Sequence, residues 1–143
     1  MKVYIAAPLF TDEEKQIIRQ VAHLIKEAGH EVYLPMENGV HNPWSHSNQD
    51  WGKLLFDKDV AGIDSCDSVV AIYYGMDSDT GTSWELGYAF AKSKRVVVFH
   101  NYNIDTDIGS LMICNGAHMN VRYMSDIPKA LTEDIIQSLP YQS

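Results

Sequence analysis

Short β-branched runs alternate along this chain with longer stretches in which apolar residues recur every three or four positions. Residues 3–6, 31–34, 68–74, 95–100 and 117–123 read as strands, the third as a nearly continuous apolar run. Helical periodicity covers residues 11–28, 50–65, 82–93, 108–114 and 127–138, with Pro128 tolerated in the first turn of the last. The first helix is the clearest. Thr11 and Glu14 form a capping box, Ile17, Ile18, Val21, Leu24, Ile25 and Ala28 make an apolar stripe, and Gly29 stops it. Residues 39–48, with Asn42-Pro43 as a turn signal, and 101–107 read as loops. Strands alternating with helices predict an α/β fold: a five-stranded parallel sheet, flavodoxin-like in its order 2-1-3-4-5, with helices on both faces and one domain over residues 1–143. In that order the ligand crevice opens beyond the carboxyl ends of strands one and three, which directs attention to the segments after Ala6 and Tyr74.

Composition narrows the ligand. Of 143 residues, 45% are hydrophobic and 21% charged, as in ordinary globular proteins. A formal net charge of −8 gives no attraction to nucleic acid or to an anionic membrane, so a small neutral or weakly charged ligand is expected. Cys66 and Cys114 belong to no metal-ligand spacing and fit a reducing, cytoplasmic setting. No run has the length of a membrane span, and the apolar segment after Met1 is too short for a signal peptide. The histidines His41, His46, His100 and His118 read as solvated or structural. There is no GxGxxG, P-loop or GxSxG, which argues against dinucleotide, nucleoside-triphosphate and serine-hydrolase chemistry.

Carboxylates stand at the expected crevice. Asp77, Asp79 and Glu85 fall within nine residues of a loop entering the third helix. Glu85, three residues after Thr82, reads either as the partner in a capping box or as a working acid crowded by its neighbours. In the second helix Trp51, Leu55, Asp59 and Ile63 recur at steps of four, flanked by Leu54 and Gly62, which places Asp59 on the stripe that faces the sheet. A carboxyl there is paired, hydrogen-bonded or protonated, and is either a structural acceptor or a catalytic group. Tyr4 is a polar aromatic in a central strand, and Phe10, just past the switch point, reads first as core.

The segments Val3-Tyr4-Ile5-Ala6-Ala7-Pro8-Leu9-Phe10, Asp57-Lys58-Asp59 and Asp79-Thr80-Gly81-Thr82-Ser83-Trp84-Glu85-Leu86-Gly87 together resemble the nucleoside 2-deoxyribosyltransferases. The likeness keeps the same order over nearly the whole chain, and the Asp-x-Gly-x-x-x-Glu-Leu-Gly turn is its most specific piece. It implies transfer of 2-deoxyribose from a deoxynucleoside to a free nucleobase, a step of deoxyribonucleoside salvage and catabolism. It also implies roles: Glu85 as nucleophile, Tyr4 as the group that orients it, Asp59 as the acid near the glycosidic bond, and Asp79 as the holder of the 5′-hydroxyl. Leu111-Met112 matches a pair reaching into a neighbouring subunit's site, within a dimer-based homo-oligomer that is often a hexamer. Where the family often has Asn before that pair, this chain has Ser110. Related deoxynucleoside 5′-monophosphate hydrolases use serines around a phosphate, so Ser110 bears on the 5′ group.

A retaining glycosyl transfer needs a carboxylate on one face of the sugar and an acid for the departing base. Glu85 and Asp59 supply those types, Gly81 lets backbone approach the ligand, and Phe10 and Trp44 offer faces for the base. No cofactor and no metal is called for. Two other readings remain: a deoxynucleoside monophosphate N-glycosidase using the same Glu85, and a flavodoxin-like binding module without catalysis. The module reading lacks an acidic pair or phosphate loop after strand one, where Ala6-Ala7-Pro8 stand.

Overall fold

Alternation within the strands decides which side of the sheet each residue serves. A computed structural model describes residues 1–39, 44, 47–134 and 141–142, the side chains of Asp77 and of 141–142 excepted. Strands β1 (Lys2–Ala6), β2 (Glu31–Tyr33), β3 (Ser68–Tyr73) and β4 (Arg95–His100) lie with the three-residue β6 (Met119–Val121) in one sheet of order β2-β1-β3-β4-β6. Every pairing is parallel. This is the predicted sheet, with β6 in the fifth place. Among the described residues no helix is long and apolar enough to cross a membrane.

Val3, Ile5, Val70, Ile72, Val97 and Phe99 face helices α1 (Asp12–Glu27) and α5 (Ile127–Ala130). The intervening residues Tyr4, Ala6, Val69, Ala71, Tyr73, Val96 and Val98 face α2 (Asn48–Ser65) and α3 (Thr80–Ala91), where Ile63, Leu86 and Ala89 complete the core. The period-two alternation of a strand therefore sends Tyr4 to the same side as Asp59 and Glu85. Both capping-box bonds of Thr11 and Glu14 form, and Gly29 leaves α1 at φ +92°.

Several boundaries differ from the expectation. Helix α3 starts two residues early, at Thr80, because Asp79 caps it. The helix expected over 108–114 starts only at Leu111 (α4, Leu111–Gly116), since Gly109–Ser110 is extended (β5) and pairs with Tyr141–Gln142 (β7). Helix α5 stops at Ala130. Arg95 donates to the Ala130 carbonyl from Nε and to the Glu133 carbonyl from Nη2, both at 3.0 Å, and so occupies acceptors that a longer helix would use. The remainder of that expected helix, 135–138, lies outside the described residues, as do Asn42-Pro43, His41 and His46 in the 39–48 loop.

The stripe expected along α2 is only half used. Gly62 and Ile63 are buried and Asp59 partly so, but Trp51 and Leu54 are exposed. An 18-residue helix is about 27 Å long, whereas a six-residue strand reaches about 20 Å, so the first turns of α2 overshoot the sheet. The overshoot leaves Asp59 at the sheet's rim, beside the strand ends.

Candidate active site

The sheet's C-terminal rim carries a cleft between α2 and α3, about 430 Å³ in volume and lined by Phe56, Asp59, Val60, Ile63, Thr80, Gly81, Trp84 and Glu85. Its walls are tied together. Phe56 meets Trp84 edge-on at 5.2 Å, Trp84 stacks on Tyr88 at 5.4 Å, and the Tyr88 hydroxyl donates to Asp64 at 2.7 Å.

Glu85 is not the capping partner of Thr82. Asp79 holds that position: its Oδ2 accepts from the Thr82 backbone N–H at 3.2 Å. With the helix end satisfied, the Glu85 carboxylate is free to turn toward the sheet, where it accepts from the hydroxyl of the fully buried Tyr4. Burial pushes the Glu85 carboxyl up to about 7; the charges of Asp59 and Asp79 push the same way, and the Tyr4 hydrogen bond opposes them. Burial also raises Asp59. The Tyr4 hydroxyl is raised far above the usual phenol range, by burial first and then by the adjacent Glu85 carboxylate, so it stays a donor. The arrangement sets an oriented Glu85 carboxyl and the Asp59 carboxyl, both raised by burial, on opposite walls of an apolar cleft.

The other sequence candidates stand around the start of α3. Phe10 and Asp79 line an adjoining cleft with Pro8, Glu14, Tyr74 and Ser78, and Phe10 is 78% exposed rather than part of the core, since its backbone N–H is held by Glu14 while its ring points outward. Ser110 and Met112 line a third cleft, on the far side of Thr80 and Ser78, with Tyr73, Ser83 and Gly87. One protomer thus brings Tyr4, Asp59, Gly81 and Glu85 together, while Ser110 and Met112 line a neighbouring cleft that shares Thr80 with theirs. The space beside Gly81 is taken by its own cap: a Cβ there would sit 2.9 Å from Asp79 Oδ2. Trp44 is exposed.

Sequence reasoning passed over Phe56 and Trp84, which wall the cleft, although Phe56 stands one turn before Asp59 and Trp84 is adjacent to Glu85. Of the two readings open for His100, solvated or structural, the structure shows the structural one: it is buried within a polar group. His100 contacts Asn120 Oδ1 through Nε2 and the Tyr102 hydroxyl through Nδ1, each at 2.8 Å. Asn120 Nδ2 donates to the Cys114 carbonyl, so its Oδ1 faces His100, which must donate from Nε2 and accept at Nδ1. Tyr73 packs edge-on against both rings and accepts from the Ser110 N–H at 2.9 Å.

A doubly covered parallel sheet with a buried, oriented carboxylate at its switch point defines a class: α/β enzymes that work at the carboxyl ends of their strands. Within that class the chain belongs to the nucleoside 2-deoxyribosyltransferase family, whose model matches residues 3–123. It is 26% identical over 107 residues to a nucleoside deoxyribosyltransferase of Lactobacillus leichmannii, a match covering 67% of this chain and 68% of that protein. The solved structure of a 2-deoxyribosyltransferase from Bacillus psychrosaccharolyticus superposes with a TM-score of 0.80 at 28% identity, covering 94% of this chain and 93% of the other. A CMP N-glycosidase of Clostridium botulinum shares the fold, with a TM-score of 0.56 at 19% identity over 92% of this chain and 99% of the other.

Proposed function

We propose that this protein moves 2-deoxyribose from a deoxynucleoside to a free nucleobase by double displacement at Glu85. The observation that carries the reading is the Tyr4–Glu85 pair: with Asp79 capping α3, Glu85 has no structural duty at the helix end and is aimed by a donor from the central strand. In the first step Glu85 attacks C1′, the C1′–N bond breaks, and the departing base takes a proton from Asp59. The incoming base then attacks the deoxyribosyl ester, returning its proton to Asp59 and freeing Glu85, with net retention. Burial raises Asp59, the direction that suits a group handing a proton to the departing base, while the Tyr4 bond favours the ionised Glu85 that must attack.

Asp79 keeps Oδ1 clear of its capping bond, and a carboxylate oxygen accepts from a 5′-hydroxyl while repelling a 5′-phosphate. Phe10 offers an exposed ring next to Asp79. Met112, 76% exposed on α4 and absent from the lining of the Glu85 cleft in its own protomer, serves a neighbouring subunit together with Ser110. The test is incubation with thymidine and adenine, with deoxyadenosine sought by chromatography and a deoxyribosyl adduct on Glu85 sought by mass spectrometry. Free deoxynucleosides are expected to exceed their 5′-monophosphates in kcat/KM by about tenfold. Faster turnover of the monophosphate, ending in free base even with acceptor present, replaces the transferase with an N-glycosidase.

A further inference from the structure

Tyr4 reaches Glu85 from a strand whose partner places a second tyrosine directly beside it. Tyr4 and Tyr33 are register partners in the parallel β1–β2 pair, and their rings stack with centroids 5.5 Å apart and planes 14° from parallel. The Tyr33 ring fills the gap between β2 and α2 at Gly62, one of the two glycines of α2 and the one whose missing side chain leaves room for it. A Cβ on Gly62 would fall 2.5 Å from Tyr33 Cε1 and 2.7 Å from Cζ, positions no pair of atoms can share. Gly62 follows Asp59 by three residues, so the ring inserted over it abuts the same helical turn from which Asp59 enters the cleft. Among the described residues the Tyr33 hydroxyl has only a long contact, 3.5 Å, to the Lys58 carbonyl. The ring, more than the hydroxyl, is therefore what the position uses.

We propose that Tyr33 is a positioning residue for the site: its ring, wedged between Tyr4 and the bare backbone of Gly62, holds the Tyr4 phenol on Glu85 and keeps water from the Tyr4–Asp59 side of the cleft. The inference rests on reading Glu85 as the attacking carboxylate. A tyrosine on a strand can rotate its hydroxyl off the carboxylate if the space next to its ring is empty; Tyr33 fills that space with a flat surface. The same ring covers the β2 side of the fully buried Tyr4. The charged and titratable groups around this corner are few enough to follow. Tyr4 faces Glu85 from β1, Asp59 from α2 and Asp79 from the start of α3. Tyr33 itself is faced by Asp59, by Cys66 at the end of α2, and by Lys2, whose Nζ lies 5.7 Å over its ring.

The test compares Tyr33→Phe, Tyr33→Leu and Gly62→Ala, the last of which pushes the ring out without altering it. The Glu85 carboxyl is titrated by carbon-13 NMR in substrate-free protein, with Glu85→Gln assigning its signal, and kcat and KM for transfer are measured beside it. Tyr33→Phe should titrate as wild type and keep kcat within about twofold. Tyr33→Leu and Gly62→Ala should each lower the Glu85 midpoint by about half a unit or more as water enters. Both should lose about tenfold in kcat with KM nearly unchanged. Either one suffices if the other does not fold. A midpoint unchanged in the folded variants, or a kcat loss no larger than the loss of folded protein, overturns the role. Wild-type protein that transfers no deoxyribose would instead sink the reading of Glu85, while the titration still reports on Tyr33.

Discussion

Replacing Glu85 with Gln should make this protein more stable at pH 8 while removing its activity. The carboxyl titrates at about 7 in the folded chain against an ordinary 4.5, because burial and the charges of Asp59 and Asp79 outweigh the Tyr4 hydrogen bond. The folded state therefore binds this proton more tightly than the unfolded one. The stability it contributes is complete below pH 4.5 and is lost as pH rises through about 7. A shift of that size corresponds to about 3 kcal/mol of carboxylate destabilisation above the upper pKa, and water entering the open cleft reduces it toward about 1 kcal/mol. Gln is neutral and isosteric, and its Oε1 still accepts from Tyr4, so it removes the charge without opening a cavity. The difference in unfolding free energy between variant and wild type should be near zero at pH 4.5 and grow to about 1–3 kcal/mol by pH 8. For a chain of this length that is a rise in Tm of roughly 3–9 °C. Urea or thermal unfolding at pH 4.5, 6, 7 and 8 reads it directly. A difference that stays flat over this range would refute the raised Glu85 carboxyl and return Glu85 to an ordinary helix residue.

Tyr4→Phe removes the one interaction that favours the ionised carboxylate, so the acidic limb of kcat/KM should move to higher pH, and a limb that moves down contradicts the geometry. Asp79→Ala removes the cap of α3 and should cost about 1 kcal/mol in urea unfolding, with the preference for deoxynucleosides over their 5′-monophosphates shrinking at the same time. His100 is held below its ordinary 6.5 by burial, against the Asn120 bond, so its contribution to stability fades as pH falls below 6.5. The non-titrating His100→Gln should be less stable than wild type at pH 7.5, and that deficit should narrow toward pH 5 in urea unfolding. Multi-angle light scattering should find an oligomer, with Met112→Glu giving smaller species of low activity, because Met112 is exposed and does not line the Glu85 cleft of its own protomer.

The sheet was legible because its strands are β-branched and separated by strongly periodic helices. The Thr11–Glu14 box and Gly29 stop were legible because they are local in sequence. The start of α3 was not. Asp79 and Thr82 are both good capping residues three positions apart, and only the packing of Thr82 into the core, where it is fully buried, decides between them. The bond from Tyr4 to Glu85 spans 81 residues, and nothing in local periodicity encodes it. Resemblance supplied the pairing, and alternation along β1 explains why it is geometrically open. Asp59 shows itself as an acid on an apolar stripe, but periodicity extends that stripe along the full helix, because it is blind to where the sheet beneath it ends. Tyr33 escaped notice because its partner is the missing side chain of Gly62, and an absent atom leaves little trace in a hydrophobic pattern.

The contact between His100 and Asn120 has a consequence for how the chain finds its register. Strand β6 is three residues long, too short for its few backbone bonds to choose among neighbouring alignments with β4. In the native pairing Val98 meets Asn120, and Asn120 falls on the same face as His100. A slip by one residue would turn the amide to the opposite face and leave the His100 Nε2–H without its acceptor. Leaving such groups unpaired costs about 1–3 kcal/mol each. The polar pair thus acts as a register key: misaligned forms of the last strand are penalised even where their hydrophobic contacts are equally good.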